Sequence, residues 1–369
     1  MLTSPLRVAH LVDTLHPDGG EYGLVALAGA ARTAGLELVV VGISGAGDGR
    51  RAAALRAAGA TVVEHGLAPW DPRAVPRVLD TLREHGVALI HTHSPNADVA
   101  GSAAATRLRL PVFSTLHRIE DEPADRLDRL RRTAKTMARA RFVTRTIAVS
   151  RLQVDWYRRV AGSARGLVVL PDGVADPEPV DRERARAVLG LGAADVLVVS
   201  AAPMRRGKGQ DLLLDAVAAL PPDLPATVVL TGDGPLRPWL EARVAREAEL
   251  SGRVVVRPLA DPPALLQAAD VQVHVTRTDV MPSAVVRGLA AGIPVVTSRV
   301  GGLPEIVTRE TGRQVPLTAQ AVAEALTELA SDATLRARLG TAARTRFEER
   351  FEAGGWAARL RALYDSTLG

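Results

Sequence analysis

A chain of 369 residues, 47% of them hydrophobic, is too long for one average core, which favours two domains. Cysteine is absent, which excludes disulfides and thiolate chemistry, and aromatic residues make up only 3%, which disfavours a stacking platform for single-stranded nucleic acid. The net charge of +5 is modest, and the bases are nearly all arginine, because lysine occurs only at Lys135 and Lys208.

The sequence predicts a protein without a membrane span. No segment approaches 18 uninterrupted apolar residues. The N-terminus enters a predicted strand directly and lacks the charged, apolar and cleavage regions of a signal peptide. Together with the absence of cysteine, these features predict a cytoplasmic protein.

The first half of the chain alternates short apolar runs with helix-length segments, the pattern of a parallel sheet. Predicted strands are Leu6–Val12, Leu36–Ile43, Ala60–Val63, Val87–His91, Pro111–Ser114, Thr146–Ser150 and Val168–Leu170. Predicted helices are Tyr22–Ala34, Ala52–Ala58 and Val75–His85.

Candidate site residues follow several of these strands. Gly19 and Gly20 lie between the first strand and helix, where they indicate either a close backbone approach to a ligand or a tight turn without one. We expect His91 and His93, two residues apart at a strand end, to face opposite sides with no third ligand nearby, so no metal site is predicted. His117 lies just past a strand's carboxyl end, where such sheets bind ligands.

The segment from Glu120 to Arg145 is strongly basic. Its apolar residues Leu127, Leu130, Ala134, Met137 and Ala138 fit one helical stripe. A basic amphipathic helix of this kind either presents a solvated face or lies on anionic lipid.

A turn-rich segment, Pro171–Pro179, separates the two halves and is interpreted as a linker between domains. The second half predicts strands at Asp195–Ala201, Thr227–Leu230, Arg253–Val256, Val271–Val275 and Ile293–Val296. Its predicted helices are Gln210–Leu220, Arg237–Glu249, Pro263–Ala269, Ser283–Ala291, Ala319–Ser331, Ala333–Phe351 and Gly354–Thr367. The order describes two successive α/β sheets with a cleft between them.

Two loops of the second half predict an anion site. Arg205, Arg206 and Lys208 lie between a strand and a helix, where cations beside free backbone amides suit phosphate. The spacing does not fit the P-loop of nucleotide hydrolases. A helix that begins at Pro282 or Ser283 would present free amides of Ser283 and Ala284 to the same ligand.

These motifs, in this order along nearly the whole chain, resemble the retaining glycosyltransferases of family 4, which have the GT-B fold. The matching segments are GGE (Gly19–Glu21), HTH (His91–His93), IAVS (Ile147–Ser150), PDGV (Pro171–Val174), KG (Lys208–Gly209), TGDGP (Thr231–Pro235), AAD (Ala268–Asp270), LAAGIPVV (Leu289–Val296) and GGLPEIV (Gly301–Val307). The resemblance implies two Rossmann-like domains facing each other across a cleft. The first would span residues 1–172, with the helix of residues 354–369 crossing back to it, and the second residues 173–353.

The resemblance also implies a reaction. Family members transfer a sugar from a nucleotide diphosphate sugar with retention of anomeric configuration, usually without a metal, and the donor is a substrate, so no cofactor is expected. Catalytic roles would fall to His117, Lys208 and Asp279. Donor contacts would come from Gly19, Gly20, Arg205, Arg206, Lys208, Asp279, Pro282, Ser283, Ala284 and Arg287.

The chain departs from the family pattern at three positions. Two glutamates separated by seven residues would fall at Asp279 and Arg287, and a family arginine would fall at Pro203. Arginine cannot accept the hydrogen bonds that the second glutamate takes from ribose hydroxyls. Three hypotheses stay open: an active transferase with a rewired donor pocket, which we prefer; an inactive relative that supports a partner glycosyltransferase; and a different coupling reaction on the same fold.

The acceptor is not specified by any motif. A small molecule and a lipid-linked acceptor both fit, and the segment Arg126–Arg145 suggests peripheral contact with the inner face of a membrane. Nucleic acid is not an expected partner.

Overall fold

Apolar runs rich in valine and leucine form the strands of two separate parallel sheets. The computed structural model describes residues 5–16, 23–45, 49–119, 125–161, 164–192, 194–258 and 262–368. The chain divides into two compact units, one formed by Met1–Ala175 with Ala353–Gly369 and the other by Asp176–Glu352. The boundary at residues 175 and 176 lies within the turn-rich Pro171–Pro179 segment.

The first unit contains a seven-stranded sheet in the order β3-β2-β1-β4-β5-β6-β7, with every pair parallel. Its strands are β1 (Leu6–Val12), β2 (Leu36–Ser44), β3 (Thr61–Leu67), β4 (Leu89–Thr92), β5 (Val112–Leu116), β6 (Arg145–Ala148) and β7 (Leu167–Val169). Its helices are α1 (Gly23–Ala31), α2 (Arg50–Ala57), α3 (Ala74–His85), α4 (Pro95–Leu108), α5 (Arg126–Phe142) and α6 (Arg151–Ala161).

The second unit contains a six-stranded parallel sheet in the order β10-β9-β8-β11-β12-β13. Its strands are β8 (Val196–Ala201), β9 (Ala226–Thr231), β10 (Val254–Arg257), β11 (Val271–His274), β12 (Val295–Ser298) and β13 (Gly312–Val315). Its helices are α7 (Arg182–Ala187), α8 (Gln210–Ala218), α9 (Arg237–Arg246), α10 (Pro262–Ala268), α11 (Ser283–Ala290), α12 (Leu303–Ile306), α13 (Ala319–Ser331) and α14 (Ala333–Arg350). The chain then returns to the first unit for α15 (Ala353–Leu368).

Helix α15 completes the core of the first unit. Its side chains Trp356, Leu360 and Tyr364 are almost fully buried in one cluster with residues of β1, β2 and α1. A Cβ atom at Gly173 would lie only 2.7 Å from Trp356 Cβ, so a larger residue there would push the helix away. The glycine of the PDGV motif is therefore required by this packing.

The AAD motif has a structural role in the second unit. Asp270 Oδ2 accepts hydrogen bonds from the backbone amide of Leu197 at 2.7 Å and from Arg186 at 2.8 Å, while Asp270 Oδ1 pairs with Arg182. The carboxylate thus ties the start of β11 to β8 and α7.

The predicted fold class, two Rossmann-like α/β sheets, is confirmed. Helices α4, α6, α7 and α12 and strand β13 were not predicted. Among the described residues, no helix combines the length and apolarity needed to span a membrane.

Most of the predicted apolar stripe of α5 is exposed instead of packing against the rest of the first unit. Ala138 is buried, but Leu130 and Met137 are 66% and 65% exposed. The helix instead turns Arg139 inward, where its Nη2 lies 2.6 Å from the carboxylate of Asp98 on α4. A buried counter-charge from another helix, which helical periodicity does not report, decides the orientation.

Candidate functional site

The carboxyl ends of β1, β4 and β5 bring histidines together in the first unit. Strands β1 and β4 are neighbours although they are not consecutive, and such a switch in strand order is where open parallel sheets bind ligands. His10 Nδ1 lies 2.9 Å from His93 Nε2, and His93 Nδ1 lies 2.9 Å from His117 Nε2. His117 Nδ1 in turn lies 3.2 Å from Asp172 Oδ2. We call these four residues the histidine chain.

The expectation that His91 and His93 face opposite sides without a third histidine nearby is wrong. Their rings stack with centroids 4.4 Å apart, and His10 contributes a third ring with a nitrogen within 4.8 Å of one nitrogen on each of the others. Strand β4 ends at Thr92, so His93 lies beyond the strand and is not bound by its alternation.

Hydrogen bonds already engage most nitrogens of this cluster. His91 is bonded at Nδ1 to Tyr364 Oη at 2.5 Å and at Nε2 to Thr115 Oγ1 at 2.7 Å, and both nitrogens of His93 belong to the histidine chain. Burial lowers the pKa of His10 to about 3. Burial, aided by neighbouring imidazoles, also holds the pKa of His91 and His93 well below the ordinary value, so the rings are neutral at pH 7.

His117 lines a cavity of about 250 Å³ at this edge of the sheet. The cavity is also lined by His93, Ser94, Pro95, Thr115, Leu116, Arg118, Ile119 and Arg139. Gly19 and Gly20, predicted to approach the same ligand, lie outside the described residues.

A second cluster lies in the second unit, at the switch between β8 and β11. Lys208 Nζ lies 2.5 Å from Asp279 Oδ2, and His274 Nε2 lies 3.2 Å from the same oxygen. Burial raises the pKa of Asp279, but the His274 hydrogen bond and the Lys208 charge outweigh it and leave that pKa below its usual value. The structure therefore brings Lys208 and Asp279 together, with His274 as a partner that sequence reasoning missed.

Two glycines allow these loops to pack closely. A Cβ atom at Gly209 would lie 1.8 Å from the Val275 carbonyl oxygen, and one at Gly301 would lie 1.7 Å from that of Asp279. Both residues also have positive φ, near 73° and 60°. Because no other residue fits, the KG and GGLPEIV motifs fix the position of Asp279.

The remaining predicted residues are distributed around this cluster. Helix α11 begins at Ser283, and its N-cap residue, Pro282, makes no side-chain hydrogen bond to the first amides of the helix. Ser283 and Ala284 therefore start the helix, as the anion-site prediction requires. Arg205 and Arg206 are exposed.

Arg287, on α11, is half-buried. Within the described part of the chain its guanidinium makes no hydrogen bond or ion pair, and burial lowers its pKa. By contrast, Arg277 is held by two hydrogen bonds to Asp211, of 2.9 and 2.7 Å. A half-buried cation without a counter-charge is costly unless a ligand supplies an anion.

His10, Asp172 and His274 were not predicted as site residues from the sequence. His10 lies two residues before the end of β1, and His274 is the last residue of β11. A polar residue is unexpected at such a position in a strand that is buried on both faces. That position is the signal by which they could have been found.

Each of the two units matches a different model of known protein families. Residues 17–176 match Glycosyltransferase Family 4, and residues 193–332 match Glycosyl transferases group 1. A D-inositol 3-phosphate glycosyltransferase of Jonesia denitrificans is 28% identical over 309 residues, which cover 76% of this chain and 72% of the relative. A GDP-mannose-dependent alpha-(1-6)-phosphatidylinositol monomannoside mannosyltransferase of Mycolicibacterium smegmatis is 33% identical over 213 residues, 53% of this chain and 55% of the relative.

Among solved structures, Anabaena Alr3699/HepE in complex with UDP superimposes with a TM-score of 0.84 at 23% identity, covering 98% of this chain and 100% of that one. The fold and the family matches together define a glycosyltransferase with the GT-B fold. Its first unit carries a Glycosyltransferase Family 4 domain, and its second a Glycosyl transferases group 1 domain.

Proposed function

We propose that this chain transfers a sugar from a nucleotide diphosphate sugar to a phosphorylated acceptor, with retention of anomeric configuration and without a metal. The observation that carries the proposal is the Lys208–Asp279–His274 cluster at the β8/β11 switch, with Arg287 on helix α11, which has no counter-charge within the described ranges. Fixed cations and helix amides suit the charge of a leaving diphosphate.

In the proposed reaction, the bond between the anomeric carbon and the diphosphate oxygen breaks while the acceptor oxygen bonds to the same face of that carbon. The acceptor proton passes to the departing phosphate. Lys208 stabilises the negative charge on the diphosphate, and Asp279, held ionised by its two partners, accepts a hydrogen bond from the donor.

Arg287 gives the donor pocket a different preference from that of the family pattern. A guanidinium cannot accept hydrogen bonds from ribose hydroxyls, but it can donate two hydrogen bonds to one anionic group. We propose that its partner is a donor phosphate or an acidic sugar. The Anabaena neighbour was crystallised with UDP and the mycobacterial relative is named for GDP-mannose, so both bases are candidates.

The acceptor site is proposed for a cavity of about 680 Å³ in the first unit. It is lined by Ile119, Arg132, Thr133, Thr136, Met137, Trp156, Arg159 and Val160. Two guanidinium groups and two hydroxyls beside apolar side chains suit a phosphate attached to a polyol, either free or lipid-linked. The inositol phosphate and phosphatidylinositol mannoside in the relatives' names have this chemistry.

Isothermal titration calorimetry with UDP, GDP, ADP and dTDP, then with sugar conjugates of the nucleotide that binds, tests the donor site. Micromolar binding of one nucleotide, weakened in Lys208→Ala, is expected. Binding by none of them would overturn the proposal and favour an inactive partner subunit.

The acceptor proposal has its own test. Once the donor is known, inositol 3-phosphate and anionic vesicles carrying phosphatidylinositol are offered as acceptors. Arg159→Ala should raise KM for the acceptor that is used, whereas Arg158→Ala on the same helix, where Arg158 pairs with Asp155, should not. An equal effect of both variants would contradict a site in this cavity.

Peripheral membrane contact is proposed through the exposed face of α5, where Leu127, Leu130 and Met137 stand among arginines. Vesicle sedimentation with anionic and neutral lipid tests it, and Leu127→Asp with Leu130→Asp, neither of which lines the proposed acceptor cavity, should abolish binding to anionic vesicles. No preference of the unaltered protein for anionic lipid would refute it. We also propose a cytoplasmic location, because the cytoplasmic leaflet of a membrane is the one rich in anionic lipid.

A further inference from the structure

The hydrogen bonds of the histidine chain all run from donor to acceptor in one direction, which follows from the chemistry of the groups at its two ends. A neutral imidazole has one nitrogen that donates and one that accepts. At one end the carboxylate of Asp172 only accepts, so the facing His117 Nδ1 carries the proton. The other nitrogen of a neutral His117 then accepts from His93 Nδ1, and His93 Nε2 accepts from His10 Nδ1.

The opposite end of the chain supports the same direction. His10 is fully buried, and its Nε2 has no hydrogen-bond partner among the residues that the structure describes. When each ring donates from Nδ1, as described above, His10 Nε2 carries no proton and keeps its lone pair. A cationic His117 would donate at both nitrogens, reverse His93 and His10, and leave a buried N–H of His10 without an acceptor. Orphaned buried N–H groups are rare because they lose a hydrogen bond to water and gain none.

The neighbouring His91 shows that the chain is distinct from the cluster around it. His91 stacks on His93, but its two nitrogens are bonded to Tyr364 and Thr115, so it does not interrupt the sequence of bonds from His10 to Asp172. A metal bound by His10, His91 and His93 would have to displace several of these bonds at once.

We propose that His93 and His10 are positioning residues that hold His117 neutral, protonated at Nδ1 and fixed in orientation at the wall of the cavity. This inference rests on the proposed transfer, in which positive charge develops at the anomeric carbon. A neutral, immobile ring avoids placing a second positive charge beside that carbon, and orientation fixed before binding does not have to be acquired during the reaction.

Nuclear magnetic resonance of the resting full-length protein with ¹⁵N-labelled histidine tests the chain without any donor or acceptor. At pH 7.5 we expect protonated Nδ1 and bare Nε2 in His10, His93 and His117, with couplings across the two N–H···N bonds. Finding any of these three rings with the proton on Nε2 would overturn the proposal. Variants of single histidines assign the signals.

Kinetics then tests positioning, using the donor and acceptor identified above. His93→Leu should lower kcat roughly 10- to 100-fold with KM little changed, and His93→Gln, whose amide can donate to His117 Nε2, should restore part of the loss. Tyr364→Phe is the matched control, because it removes a bond to His91 in the same cluster but none from the chain. Thermal midpoints measured for all variants separate misfolding from misplacement.

The outcomes are distinguishable. Equal losses in His93→Leu and Tyr364→Phe would refute positioning even if the tautomers are as expected. If no donor binds, the proposed function fails, while the resonance spectra still decide the direction of the chain.

Discussion

Lys208 Nζ lies 2.5 Å from Asp279 Oδ2, although the two residues are 71 positions apart in the sequence. Each stands in the loop after one of the two strands, β8 and β11, that meet at the switch in strand order. The pair keeps a lysine with many rotamers in one place before any ligand arrives. In the proposed transfer, the donor diphosphate would therefore meet a cation that is already positioned for it.

Removing this cation should affect turnover more than substrate binding. Lys208→Ala should lower kcat about 10²- to 10³-fold, because the charge acts on the leaving group as it forms. Steady-state kinetics checks this, with Arg277→Ala as the control, since Arg277 is a cation of the neighbouring loop that is engaged by Asp211. A comparable loss in Arg277→Ala would show that general charge, not this lysine, matters.

Arg287 should trade stability for ligand binding. Arg287→Met should raise the free energy of unfolding by roughly 1 kcal/mol, because it removes a half-buried cation without a partner among the described residues, and should weaken nucleotide binding. Urea unfolding and calorimetry measure the two effects. Arg287→Glu provides the sharper test of the donor pocket: if it creates turnover of an ordinary donor that the natural protein lacks, the arginine disables the site.

The ion pair between Asp98 and Arg139 should be a large contributor to the stability of the first unit. Asp98 also accepts hydrogen bonds from Thr92 Oγ1 at 2.5 Å and Ser114 Oγ at 2.7 Å, so it links β4, β5, α4 and α5. Arg139→Met should lower the free energy of unfolding by about 3–5 kcal/mol, because it leaves a buried carboxylate without its cation. The exposed pair of Arg309 and Glu310 is the control, and Arg309→Ala should leave the urea midpoint unchanged.

Stability should fall as the pH falls below 6.5. His10, with its pKa lowered to about 3, stays neutral in the folded protein, while the unfolded chain takes up a proton near pH 6.5. The unfolded state thus binds more protons between these values, and the free energy of unfolding declines by on the order of 1 kcal/mol per pH unit for each such histidine.

Urea unfolding at pH 7.5, 6 and 5 measures this slope. His91 and His93 have lowered pKa values as well, so the decline should be steeper than one histidine produces. His10→Gln should have a shallower slope than the natural protein. Identical slopes would show that His10 gains no proton on unfolding.

The sequence was sufficient for every strand except β13, but several helices were missed. Strand β1 and helix α13 fall where predicted, at Leu6–Val12 and Ala319–Ser331, because each has a clear apolar pattern and clear ends. Helix α4 was missed because it is buried nearly all round and has no amphipathic period. At its Gly101, a Cβ would lie 2.8 Å from the Thr92 side chain, so small residues replace the usual pattern.

Only part of the candidate site could be predicted from the sequence. Lys208, Asp279 and Arg287 could be located from ordered motifs and spacing, but their partners could not. Strand order, and the residues at which strands end, decide whether Arg287 meets a counter-charge. They also bring His10 to His93, which lies 83 positions away in the sequence. These are properties of the folded chain, and local pattern does not contain them.

Helix α15 gives the chain an unusual assembly order. Trp356, Leu360 and Tyr364 lie in the interior of the first unit but follow the whole second unit in the sequence. During synthesis, Met1–Ala175 must wait, with an apolar groove uncovered, until Asp176–Glu352 and then α15 have been translated. Deleting α15 would therefore damage a unit whose strands all precede the second unit in the sequence.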